Sequence, residues 1–407
     1  MKQIFKLFKR IYWFTAFKIV YPLVFEHYKR KATVDEDRVL FVEYRSENLS
    51  NSFKILYEKL KNEYDFKTEV YFLYSNRLHG WSYMKRVFGL YKEVVRAKYI
   101  FLEDASNVIS AVNLNPQTVV TQLWHGCGAF KKFGFSTSEL LFGDSRKTKE
   151  KYPYYENLDY VTVSSPEVIW AYEEAMGLEE KPTQVIACGI SRTDVFYDKD
   201  FLNNAKKRVT EAMPQCKGKK IIVYAPTFRG TVEDAKAPDQ LDVTAFQEML
   251  GDEYVLLIKH HPFVKNRPSI AKEQRSFAKD VTGELTIEDL ICVADICISD
   301  YSSLIFEYSL FEKPMIFFAY DLDLYCDWRG FYYDYDELTP GPVCRTNDEM
   351  LDYIRNLSER FDKDKIIAFK NKFMSGCDGH ATERIMEVVF KKDILNKHKK
   401  QHGDGGN

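Results

Sequence analysis

The chain reads as short apolar runs, each followed by a stretch of helical period, and that alternation governs what it can fold into. "RVLFVEY", "KTEVYFLY", "KYIFLED", "TVVTQLW", "LDYVTVSS" and "TQVIACG" are too short for helices and are bounded by turn residues. Between them, "SNSFKILYEKLKNEY" and "MKRVFGLYKEVVRA" carry apolar residues at spacings of three and four. Strand, helix, strand in that order predicts parallel strands with right-handed crossovers and helices packed on the sheet. The theme starts again with "KIIVYAP", "YVLLIKHHP", "DICIS" and "PMIFF", separated by the helical "TAFQEML", "TIEDLICVA" and "SSLIFEYSLFE". Two such series predict an α/β chain of two Rossmann-like, doubly wound domains facing a cleft. A polar helix from about Phe201 to Met213 and the turn "PQCKGKK" predict the hinge. The expected division is a basic surface segment at 1–32, domains at 33–205 and 206–395, and a frayed tail at 396–407.

Composition narrows the function. The 407 residues suffice for two cores, and 45% hydrophobic with 29% charged residues is globular. A net charge of −2 supplies no global field for nucleic acid, which is not an expected partner. Cysteines at 127, 188, 216, 292, 297, 326, 344 and 377 form no CxxC pair, and no secretory cleavage site is visible, so a reduced compartment is expected. The absence of GxGxxG and GxxxxGK[ST] disfavours dinucleotide oxidoreductases and P-loop NTPases. The first 31 residues hold eight Lys or Arg and one acid, Glu26. Wound as a helix, Lys2, Lys6, Lys9 and Arg10 share one face, and Ile4, Leu7, Phe8 and Ile11 the other. The apolar region from Ile11 to Phe25 is broken by Lys18 and Pro22 and is shorter than the ~20 residues a spanning helix needs. The reading is an amphipathic helix lying on an anionic membrane surface. The alternative is a helix packed on the domain with a solvated basic face.

Four strand ends collect polar groups. In "QLWHGCGAFKKFG", His125 follows a buried strand beside Gly126 and Gly128, a fitting place for a general base; a histidine bonded to a loop carbonyl fits as well. In "YAPTFRG", Pro226 stops the strand and leaves Thr227 and Arg229 over the sheet edge, where an arginine suits a phosphate. "LIKHHPFV" offers Lys259, His260 and His261, of which alternation lets one histidine face the cleft. "ISDYSSLIF" offers Asp300, then Ser302 and Ser303 at the start of a helix whose positive end suits a donor phosphate. The adjacent histidines and the Asp-x-Asp strings at 321–323 and 334–336 lack the spacing of a zinc helix, so no metal and no other cofactor is expected.

In order, "QLWHGCGAFKKFG", "GISRTDVFY", "YAPTFRG", "KHHPFV" and "DYSSLIFEYSLFEKPMIFFAYDLDLY" resemble the CDP-glycerol glycerophosphotransferase family of teichoic acid primases and polymerases. The resemblance implies a GT-B arrangement, with the C-terminal domain binding a CDP-alcohol and the N-terminal domain receiving the acceptor. It implies that His125 is the base, that His261 is the histidine of an R-x-H-P motif, and that Thr227, Arg229, Ser302 and Ser303 serve the donor phosphates. Lys259 stands where arginine is usual, and Glu307 where aspartate is common. The implied donor is CDP-glycerol or CDP-ribitol, and CMP is released. The implied acceptor is a lipid-linked saccharide or polyol phosphate at the cytoplasmic face of the membrane, with a homo-oligomer left open. Two other readings are a GT-B glycosyltransferase or epimerase using a nucleotide sugar, and a non-catalytic scaffold of a wall-polymer complex.

Overall fold

A computed structural model describes residues 2–138, 140, 144–231 and 234–400. The first sheet contains β1 (Asp35–Glu43), β2 (Lys67–Phe72), β3 (Ala97–Leu102), β4 (Val119–Gln122), β5 (Tyr160–Thr162) and β6 (Gln184–Ile186), in the order β2-β1-β3-β4-β5-β6. The second contains β7 (Lys220–Tyr224), β8 (Tyr254–Ile258), β9 (Ala278–Asp280), β10 (Ile296–Ser299), β11 (Met315–Phe318) and β12 (Val343–Cys344), in the order β12-β11-β10-β7-β8-β9. Every ladder is parallel. The central strands are buried on both faces, which is why they read as unbroken apolar runs. Strands β9 and β12, three and two residues long, escaped the sequence reading. The strand ends of the two sheets meet at a common seam, and the helix Lys199–Ala212 forms the passage between domains.

Three expected boundaries move. The expected segment 1–32 packs on the first domain through its second half. The helix Lys2–Thr15 continues through a π-turn at Ala16–Val20 into Tyr21–Lys29, where Pro22 occupies the first turn. The π-turn accommodates the hydrogen bond that the proline cannot make. Phe17, Tyr21 and Phe25 are buried, and Tyr21 and Phe25 set their rings edge-on to Tyr91 of the helix Gly80–Val94. The second domain does not run to 395, because the chain crosses back: Ile385, Met386, Val389 and Phe390 of the helix Ala381–Phe390 join the core built on Val39, Phe41 and Phe101. The crossing is tight, since a Cβ on Gly189, at φ +89°, would lie 2.0 Å from the carbonyl oxygen of Gly376. Finally, residues 396–400 are no frayed tail. His398 is buried, bonds Asp65 at 2.6 Å, and Lys400 donates its N–H to Glu63 at 2.8 Å. Residues 401–407 lie outside the described residues.

Candidate active site

On the N-terminal wall, β4 ends at Gln122 and the chain turns sharply. Trp124 takes the left-handed conformation at φ +58°, which is costly for a residue with a Cβ. Packing holds it there: the indole is buried, stacked on Phe133 at 4.9 Å and on His125 at 4.5 Å. The turn projects His125 into solvent. Its Nδ1 lies 3.0 Å from the carbonyl oxygen of Glu103, which can only accept. Nδ1 therefore carries a proton, and the tautomer this selects leaves Nε2 as the acceptor. Of the two glycines, Gly128 is the one the fold requires. It has φ +62°, and a Cβ there would lie 2.4 Å from the Phe306 ring of the other domain. Ser164 accepts the Gly128 N–H at 2.9 Å and donates to the Phe373 carbonyl at 2.7 Å.

The C-terminal wall brings Thr227, Arg229 and Asp300 together. The buried Asp300 accepts from the Thr227 N–H at 2.9 Å, the Thr227 hydroxyl at 3.0 Å and the Tyr301 N–H at 2.7 Å. Arg229 forks onto Asp321 at 2.6 and 2.9 Å, donates to the Thr227 carbonyl at 2.8 Å, and sits 3.1 Å from Asp300. Its guanidinium lies over the rings of Tyr301, Tyr320 and Tyr325. The arginine expected to fork a phosphate thus forks a carboxylate in this structure, and the first Asp of the "DLD" string is its partner. Lys259 bonds the Leu285 carbonyl at 2.5 Å, and burial lowers its pKa. Ser302 Oγ accepts from the Leu304 N–H at 3.3 Å, ahead of the short helix Leu304–Ser309, whereas Ser303 makes no capping bond.

The two adjacent histidines diverge as alternation requires. His260 is buried, with its N–H given to Thr282 Oγ1 at 2.8 Å. The His261 ring rests between Phe228 and Phe263, and its Nδ1 accepts the Phe263 N–H at 3.2 Å. A neutral His261 therefore carries its proton on Nε2. Burial, and secondly the charge of Lys131 on the opposite domain, hold its pKa below the usual histidine value and favour that neutral form.

The walls are joined by contacts that the sequence did not reveal. Lys131 and Phe331 form an antiparallel bridge, flanked by Lys132 N–H to Gly330 at 3.1 Å and Tyr332 N–H to Phe130 at 3.1 Å. Phe130, Phe331, Tyr301, Tyr325 and Tyr335 stack around it, so much of the aromatic excess lines the seam. At the cleft floor Arg192, from "GISRTDVFY", pairs with Glu307 at 2.7 Å and lies 3.8 Å from Glu288. Asn51 reaches Glu288 across the same gap at 2.9 Å. Burial lifts the Glu307 carboxyl to about 7 against the pull of Arg192. An arginine inside a strand-end motif was the available signal.

Comparison with known proteins agrees with this architecture. The chain is 32% identical over 379 residues to a teichoic acid ribitol-phosphate primase of Bacillus spizizenii, covering 92% of this chain and 94% of that protein. It is 34% identical over 370 residues to the teichoic acid poly(ribitol-phosphate) polymerase of the same organism, covering 89% of this chain but 58% of that protein's length. The wall teichoic acid polymerase TagF superposes with a TM-score of 0.73 at 24% identity, over 92% of this chain and 93% of that one, and so shares the two-domain GT-B-like fold. With its family model matching residues 24–391, the chain belongs to the CDP-glycerol:poly(glycerophosphate) glycerophosphotransferase family.

Proposed function

We propose that the protein transfers an alditol phosphate from a CDP-alditol to a hydroxyl of a lipid-linked acceptor or growing chain, releasing CMP. The observation that carries this reading is the pair of histidines with opposite tautomers on opposite walls. His125 presents a bare Nε2 and His261 presents an Nε2–H. The acceptor hydroxyl gives its proton to His125 Nε2 as its oxygen bonds to the β-phosphorus. The bond between that phosphorus and the bridging oxygen breaks, and CMP leaves with the electron pair. His261 donates to a phosphoryl oxygen as charge develops there. Ser303, free of capping duty, and Ser302 face the same donor phosphates, while Asp300, Arg229, Thr227 and Lys259 hold the loops that frame them. Ribitol phosphate is the group that the two named relatives favour, and the chain matches one of them nearly end to end. CMP release and product mass from a lipid-linked acceptor with CDP-ribitol, CDP-glycerol and a nucleotide sugar in parallel test the reading. Turnover of the nucleotide sugar alone would overturn it, and preference for CDP-glycerol would reverse the choice of alditol.

Peripheral attachment to the membrane is part of the same proposal. No helix among the described residues is long and apolar enough to cross a bilayer. The first helix nevertheless leaves Phe8, Ile11, Phe14, Ile19 and Leu23 exposed, and Trp81 stands 61% exposed at the start of the helix Gly80–Val94. Exposed apolar side chains interspersed with Arg10, Lys18 and Lys85 suit an anionic interface. Removing residues 1–31 would also strip Tyr21 and Phe25 from the core, so the informative variant is Phe8→Ser with Phe14→Ser and Trp81→Ser. It should lose salt-sensitive flotation with anionic vesicles and still turn over a soluble acceptor. Unchanged flotation would place the contact elsewhere.

A further inference from the structure

Glu43 ends β1 with 0% exposure, yet it has no part in the reaction as derived. One carboxyl oxygen accepts the Ser50 N–H at 2.5 Å, ahead of the helix Asn51–Glu63. The other, Oε2, is buried without a hydrogen-bond partner, and the equally buried Ser50 hydroxyl beside the carboxyl opposes the upward shift only in part. The β1–β3 register sets Val42 level with Leu102, so Glu43 and Glu103 leave the sheet side by side. After burial, the neighbouring Glu103 carboxyl is the main influence that raises the Glu43 pKa. Two ionised carboxylates in such a place repel strongly with little water to screen them. One shared proton removes the repulsion and provides the orphaned oxygen with a partner.

We propose that Glu43 is a positioning residue for the base: protonated on Oε2, it donates to the Glu103 carboxylate and fixes the strand end whose carbonyl holds His125. The chain of contacts runs across three neighbouring strands, from the end of β1 to the end of β3 to the turn after β4. If it breaks, Glu103 and its carbonyl can shift, and His125 loses the partner that keeps the proton on Nδ1. Burial first, and Glu103 second, push the Glu43 carboxyl up to about 7. Around the pair stand Arg192, whose charge reaches Glu103 from the cleft floor, and Asp104, which Arg45 neutralises at 3.0 Å. The Ser50 N–H faces Glu43 from the helical side. Above neutrality the shared proton is lost, the carboxylates repel, and the base is loosened.

The inference rests on His125 being the base, and its test is chosen to separate the two. The pH dependence of kcat is compared in the intact protein, Glu43→Gln and Glu43→Ala. Glutamine keeps the donor and the shape, so it should hold kcat within about threefold and remove the alkaline fall that begins near 7. Alanine should lower kcat about 100-fold with little change in KM, because misplacing a base by about 1 Å costs on that order. Glu307 also titrates at about 7, so Glu307→Gln is run alongside and should leave the Glu43 limb in place. Infrared spectroscopy of the intact protein just below neutrality should show a protonated carboxylic acid band that Glu43→Gln removes. Glu307→Gln identifies the share of the band that the Glu307 carboxyl contributes, and the band does not depend on which group is the base. Its absence, or a glutamine variant as slow as alanine with the alkaline fall intact, would overturn the proposal.

Discussion

The two walls of the cleft use their polar residues in opposite ways. On the C-terminal wall nearly every strong group is spent within the protein: Arg229 on Asp321, Asp300 on Thr227, and Lys259 on the Leu285 carbonyl. On the N-terminal wall His125 stands exposed beyond a strained turn, held only through Nδ1 by the Glu103 carbonyl among the described contacts. A rigid framework therefore faces an exposed imidazole, the arrangement that the proposed role of His125 as base requires. The contrast suits a donor whose phosphates must be held still and an acceptor hydroxyl that must be deprotonated in place. The histidines repeat it, since neighbouring main chain sets one as an acceptor and the other as a donor.

The contrast breaks first at His125. His125→Ala should lower CMP release by about 10²–10⁴-fold, the usual worth of a positioned base, while donor affinity measured by calorimetry stays intact. Weakened donor binding would show that the N-terminal wall also holds the donor. On the framework side, Arg229→Ala strands Asp300 and Asp321 without their cation. That should cost about 3 kcal/mol of stability in denaturant unfolding, together with donor affinity. A stable variant with poor donor binding alone would return Arg229 to the role of a phosphate fork.

The floor between the walls responds to pH. The Glu307 carboxyl is raised from 4.5 to about 7, so between those values the folded protein binds more protons than the unfolded chain. Its contribution to stability is full below 4.5 and is lost as pH rises through about 7, by about 3 kcal/mol. Unfolding midpoints should fall over that window and fall less steeply in Glu307→Gln, the remaining slope belonging to Glu43. The smallest effect compares two neighbours. Ser302→Ala should cost about 0.5 kcal/mol by freeing the Leu304 N–H, whereas Ser303→Ala should leave stability unchanged and weaken donor binding. Equal effects would mean that both serines merely cap.

Ten of the strands were legible from the sequence: the central ones because a strand buried on both faces must be apolar along its whole length, and the only partly buried β2 and β6 because turn residues bound their apolar runs. Strands β9 and β12 were not, for "AKD" and "VC" are too short to carry a period and exist only because an adjacent strand offers them a ladder. Strand-end position alone marked His125, His261, Thr227, Arg229, Asp300, Ser302 and Ser303 as candidates, since side chains at those ends must face the cleft. Their partners were hidden. Arg229 with Asp321, Arg192 with Glu307, and Glu43 with Glu103 are each far apart in the chain. The helix Ala381–Phe390 could not be assigned to the first domain, because its apolar face would suit either core. Local pattern thus determined the elements and their order, which depend on period and turn chemistry within a few residues. Tautomer, charge pairing and domain membership depend on which distant groups share one place, and tertiary structure alone decides that.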